Sequence, residues 1–158
     1  MTTPNDHLVR RLVRAGLLVA LCDACFAMGT ALVRGTSALR VWKGVASVLV
    51  GTDALTGGNE MIALGLAMHV LVAFTWSALF LLVVTRSDRV RAILDSHFGP
   101  LKIATVLGPT VWLVMSLVVV PLLVHHGPTF NSYYAIMFFG HMVFVGLPMA
   151  WAIGSRPA

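Results

Sequence analysis

From Met61 to Thr85 the chain reads MIALGLAMHVLVAFTWSALFLLVVT, a run without a formal charge and with one histidine, His69, inside it. As a helix such a run is ~37 Å long, more than the ~30 Å hydrocarbon core of a bilayer and more than a buried soluble helix needs. A membrane-spanning helix is the expected form, and the rest of the chain is expected to be built around it.

Composition points the same way. Of 158 residues, 58% are hydrophobic and 11% charged, and mean hydropathy is +0.89, whereas ordinary soluble domains carry roughly 25% charged residues. No internal repeat or long linker divides the chain, so residues 1–158 are expected to form one transmembrane domain. The net charge of +5 lies in short clusters beside apolar runs, which favours contact with the lipid bilayer and its anionic headgroups over nucleic acid.

Four spans are expected, at about 15–33, 61–85, 103–124 and 135–153. The first follows Arg10, Arg11 and Arg14; it is long for a signal-peptide core, contains Asp23 and lacks a small-residue cleavage site before Arg34. In the third, Pro109 and Pro121 remove backbone donors and are expected to kink the helix or end it early. Tyr133 and Tyr134 stand where an aromatic belt precedes the fourth.

Between the first two spans, Leu39, Trp42, Val45, Ala46 and Leu49 recur at helical spacing. This predicts a short interfacial helix over about 37–50, with Trp42 at headgroup depth and Arg40 and Lys43 snorkelling to water. Residues 51–59, with Gly57-Gly58, read as a turn. The expected fold is therefore all-α, an integral four-helix bundle of a bacterial cytoplasmic membrane. Lysine and arginine asymmetry places Arg10, Arg11, Arg14, Arg86, Arg89, Arg91, Lys102 and Arg156 with both termini inside; Arg34, Arg40, Lys43 and the His125-His126 turn fall outside.

Polar groups at membrane depth are costly and are the natural candidates for a site. Asp23 falls near the middle of the first span, and His69 and His141 lie in the outer half of the second and fourth, ~3 Å apart in depth. Ser116 adds a hydroxyl in the third. Three readings follow. Each histidine is a neutral side chain bonded to Asp23, Thr75, Ser116 or a carbonyl; or His69 and His141 ligate a haem or chlorophyll-type pigment; or Asp23 and a histidine hold a proton in a transport path. Gly65, Ala73 and Ser77, at four-residue steps from His69, and Gly140 suit a cofactor or close helix packing equally.

Cys22 and Cys25 form a lone C-x-x-C in apolar surroundings, expected to be two small residues on a helix face rather than a redox or metal pair. His97 and His125-His126 fall on opposite sides of the membrane, so no metal site is expected. Enzyme motifs such as H-E-x-x-H, G-x-S-x-G and the P-loop are absent. The reading that asks least is a non-catalytic accessory or structural protein, presenting small-residue faces to other transmembrane subunits or to itself.

The chain also resembles a family of small bacterial four-span integral membrane proteins without an assigned activity. The likeness lies in Gly44-Val-Ala-Ser-Val-Leu-Val-Gly51 followed by Gly57-Gly58, in Ala63-Leu-Gly-Leu-Ala-Met-His69, in Val118-Val-Val-Pro-Leu122 and in Gly140-His-Met-Val-Phe-Val-Gly-Leu-Pro148. It covers nearly the whole chain after the N-terminal arm. Where that family carries an aromatic-glutamine pair and a third-span asparagine, this chain has Trp42-Lys43 and Ser116. The resemblance implies the architecture and no substrate.

Overall fold

The computed structural model describes residues 4–125, 127 and 130–154. His126, Pro128 and Arg156, assigned above to the outer turn and the inner tail, lie outside the described residues.

The described residues form helices and short connections. α1 (Pro4–Val33) precedes α2 (Ala38–Val50), α3 (Asn59–Arg86) and α4 (Asp88–Leu94). α5 (Gly99–Val124) and α6 (Ser132–Gly154) complete the bundle. α1, α3, α5 and α6 are long and apolar enough to cross a membrane, and the chain is a multi-pass membrane protein. α1 begins well before Ala15, because no glycine or proline interrupts the basic segment leading into the span. Local signals set the short helices. Ser37 Oγ accepts the Leu39 N–H at the start of α2, and Ser87 Oγ accepts the Val90 N–H at the start of α4. Gly51, at φ 86°, ends α2 in a conformation that a side chain would strain.

The prolines do not end their helices. α5 continues through Pro109 and Pro121 to Val124. A wide π-helical turn occupies Met115–Val119 in α5, and a second occupies Met142–Gly146 in α6. Each stops two residues before a proline, Pro121 and Pro148. The proline ring would meet the carbonyl four residues back, Leu117 or Phe144, the central residue of each wide turn; opening the turn moves that carbonyl aside and lets the helix go on.

Small residues hold the bundle together. Its core joins Ala15, Val19 and Ala20 of α1 and Ala73, Phe80 and Val84 of α3 to Val145, Met149, Ala150 and Ile153 of α6. Large side chains such as Leu21, Leu71, Leu122 and Phe139 stand exposed on the outside, the arrangement expected where lipid surrounds the protein and small residues let backbones approach.

Arginines close one end of the bundle. Arg11 donates through its guanidinium to the Ile153 carbonyl, Arg14 to the Ala152 carbonyl at 2.6 Å, and Arg91 to Val84 and Thr85 carbonyls at 2.7 and 2.9 Å. These are last-turn carbonyls of α6 and α3, which have no partner within their own helices. The N-terminal part of α1 and the C-terminus of α6 thus share an end, as four crossings require.

The segment expected in the headgroup layer behaves differently. α2 is too short to span, but Trp42 is 4% exposed and faces into the bundle. Gly65 explains this: any side chain there would collide with the Trp42 backbone, so its absence lets α2 press onto α3. Trp42 is a wall of the bundle interior, whereas Arg40 remains exposed and Lys43 is half-buried.

Candidate functional site

Asp23, His69 and His141 meet. Asp23 Oδ2 lies 3.8 Å from His69 Nδ1, and Asp23 Oδ1 lies 3.9 Å from His141 Nε2. The carboxylate therefore sits between two imidazoles carried by α3 and α6. Backbone contacts fix both rings. His69 Nε2 is 2.9 Å from the Ala20 carbonyl, one turn before Asp23 on α1, and His141 Nδ1 is 2.7 Å from the Met137 carbonyl. A carbonyl only accepts, so each of these nitrogens carries the proton. In the neutral rings, Nδ1 of His69 and Nε2 of His141 then turn lone pairs toward Asp23. Three acceptors face one another across gaps too long for a direct hydrogen bond, a set that attracts once it holds a proton.

Aromatic rings extend the cluster in both directions. The Trp42 ring packs on His69 with centroids 5.2 Å apart, and Trp112 packs on His141 at 4.7 Å. Beyond Trp112 lies Tyr134, at 5.4 Å, whose hydroxyl is 2.8 Å from Ser116 Oγ. Ser116 therefore joins the array through Tyr134 and does not bond either histidine. Thr75 also stays apart, donating to the Leu71 carbonyl. Gly108 seats His141, because its missing side chain lets α5 reach the His141 carbonyl.

Beside the cluster is a chamber of about 570 Å³, walled by α1, α2, α3, α5 and α6. Trp42, Trp76, Trp112 and Tyr133 contribute rings to it, Gly44 leaves it open on the α2 side, and Arg40 stands on its lining. This is the size of an ordinary small-molecule site, with a few polar groups set in apolar walls. Two polar atoms in the lining residues have no partner: Asp23 Oδ1, an acceptor, and Trp112 Nε1, a donor.

The remaining sequence candidates lie elsewhere. Cys22 and Cys25 are free thiols on α1, Cys25 exposed. His97 packs at a tilt against Phe98 just before α5, and His125 caps the opposite end of that helix. Trp112 and the inward face of Trp42 were missed from sequence. An indole N–H at mid-span needs a partner in the way an intramembrane histidine does, and that requirement was the available signal.

No protein-family model, curated protein or solved structure matches the chain.

Proposed function

We propose that this protein binds a small solute in its intramembrane chamber and takes up or releases a proton at Asp23, His69 and His141 as it does so, acting as a small proton-linked carrier. The observation that carries this reading is the Asp23 carboxylate set 3.8 and 3.9 Å from two imidazole nitrogens whose partners across the ring are already bonded to carbonyls. Such a set gains from one added proton and from a donor on a ligand, and it borders a cavity able to hold that ligand. No covalent step is involved, so the protein is read as a binder and not an enzyme.

Two other readings find less support in the geometry. A tetrapyrrole held between His69 and His141 competes for space with Asp23, which occupies the gap between their facing nitrogens. An accessory role in a bacterial inner-membrane complex drew on small-residue faces kept free for a partner. Gly65, Gly108, Gly140 and Gly146 instead abut Trp42, His141, Phe26 and Ala104 of this same chain, and Ala73 and Ser77 are buried.

The test is reconstitution into proteoliposomes, with proton movement followed by a trapped pH dye and the carboxyl stretch of protonated Asp23 followed by infrared difference spectroscopy. The expected result is a carboxylic-acid band and a proton flux, both lost in Asp23→Asn. Flux that persists in Asp23→Asn, or a wild-type protein with neither signal, would overturn the reading.

A further inference from the structure

We infer that a hollow between α1 and α6, apart from the chamber, is a binding site for one anionic phospholipid, with an acyl chain in the hollow and the phosphate on Arg34. The hollow has a volume of about 410 Å³, and neither Asp23, His69 nor His141 lines it. Cys25, Gly29 and Val33 line it at four-residue steps along one face of α1, and Ile136 lines it from α6; all four are exposed. Its mid-span end is formed by Phe26 and Phe144, whose rings stack with centroids 4.6 Å apart, Phe26 lying where Gly140 has no side chain. At its other end the Arg34 guanidinium lies over the Tyr133 ring, 4.0 Å from the ring centre.

Length selects the occupant. From Cys25 to Arg34 the hollow follows α1 for ~13 Å, close to the ~15 Å that one leaflet contributes to a ~30 Å hydrocarbon core. A helix of a second copy would need a face running the full thickness, whereas an acyl chain ends near the midplane, where the Phe26–Phe144 stack stands. The walls suit a hydrocarbon: Thr30 donates its hydroxyl proton to the Ala27 carbonyl of its own helix. Charge selects the head. Arg34 is exposed at the end of α1 opposite the arginine clasp, and no carboxylate among the described residues pairs with it. Resting on Tyr133, its planar fork has N–H donors for phosphate oxygens. Gly29 adds an independent observation. Nothing lies within 4 Å of where its side chain would be, so unlike Gly65 and Gly108 it seats no other helix. A glycine inside a helix is less stable than an alanine; here the missing side chain keeps the hollow deep enough for a chain.

Native mass spectrometry of the protein released from nanodiscs, made with equal phosphatidylglycerol and phosphatidylcholine of the same acyl chains, counts the lipids that stay bound. The expected result is a retained phosphatidylglycerol, preferred about fivefold over phosphatidylcholine, the margin of one arginine at headgroup level. Gly29→Leu, which fills the hollow, is expected to remove one lipid adduct. Arg34→Gln is expected to keep that adduct and level the preference between the two heads. Arg89→Gln, at the clasp end, is expected to leave both the adduct and its preference in place, separating this site from lipid held by the other arginines. Because nothing abuts Gly29, Gly29→Leu is expected to unfold at the same temperature as the wild type or higher; a variant that fails to fold would contradict the open space on which the site depends. A wild-type protein that retains no lipid, an adduct count unchanged in Gly29→Leu, or a preference unchanged in Arg34→Gln would each overturn the assignment. A protein dimer lost in Gly29→Leu would overturn it in favour of a second copy of the chain.

Discussion

Gly108 lies directly beneath the backbone carbonyl of His141, so close that a methyl group at 108 has no room. α5 and α6 meet at this point, and the contact sets the depth at which the His141 ring faces Asp23. Gly44 is the opposite case, a helix glycine with nothing near it. Gly108→Ala should therefore destabilise by about 1–3 kcal/mol through forced separation of two backbones. Gly44→Ala should instead be neutral or stabilising by about 0.5–1 kcal/mol, since a helix interior favours alanine. Thermal unfolding in detergent, read by near-ultraviolet circular dichroism, compares the two; equal losses would contradict the close approach.

The arginine clasp predicts local loosening. Arg11→Ala frees the Ile153 carbonyl and should speed amide hydrogen exchange over the last turn of α6, with a loss of about 1–2 kcal/mol. Exchange confined to α1 and unchanged in α6 would show that the cap carries no load.

Trp42 gives a sharp contrast with Trp151, which is 52% exposed on the outer face of α6. In single-tryptophan proteins reconstituted with brominated lipids, Trp151 fluorescence should be quenched strongly and Trp42 only weakly at any bromine depth. Strong quenching of Trp42 by headgroup-proximal bromine would return α2 to the membrane surface.

The positive-inside expectation puts the arginine-rich end in the cytoplasm. With that end cytoplasmic, a cysteine at Ser87 in a background lacking Cys22 and Cys25 should be shielded from an impermeant maleimide in intact cells, while one at Ser37 is labelled. The reverse pattern would invert the bundle.

Removing an imaginary His141 ring isolates the worth of the cluster. The buried side chain bonds Met137, faces Asp23 and packs at a tilt on Trp112, so His141→Ala should lower stability by about 1–3 kcal/mol. The double variant with Asp23→Asn should depart from the sum of the two losses, because the two acceptors that face each other at 3.9 Å gain or lose a shared proton together. Strict additivity in a double-mutant cycle would mean that the pair does not interact.

The spans were legible because an uncharged run longer than the bilayer core admits few alternatives, and the similar depth of His69 and His141, though not that Asp23 stands between both, was legible because ~1.5 Å per residue converts sequence position into depth. What depth arithmetic lacks is rotation. It did not show that Trp42 turns inward, which depends on the bare backbone of Gly65, nor that Trp112 abuts His141. Ser116 and Thr75 stand among the histidine partners that depth alone allows, beside Asp23 and a carbonyl; carbonyls of Ala20 and Met137 take that place, and both hydroxyls face other groups. Pro109 and Pro121 are expected from sequence to kink the helix or end it early; the wide turn at Met115–Val119, which no sequence rule signals, is what makes room for Pro121.

That wide turn has a geometric consequence for α6. Met137, His141, Val145 and Met149 are all buried, yet four-residue steps on a regular helix advance ~40° each, so the last of them would point ~120° away from the first. The extra residue in the Met142–Gly146 turn takes back ~100° of that drift. The azimuth of His141 relative to Met149 is thus stored in one loosened coil, held open by Pro148. Were it to tighten to an ordinary turn, the imidazole would swing away from Asp23 and carry the chamber-lining Tyr133 and Met137 round with it.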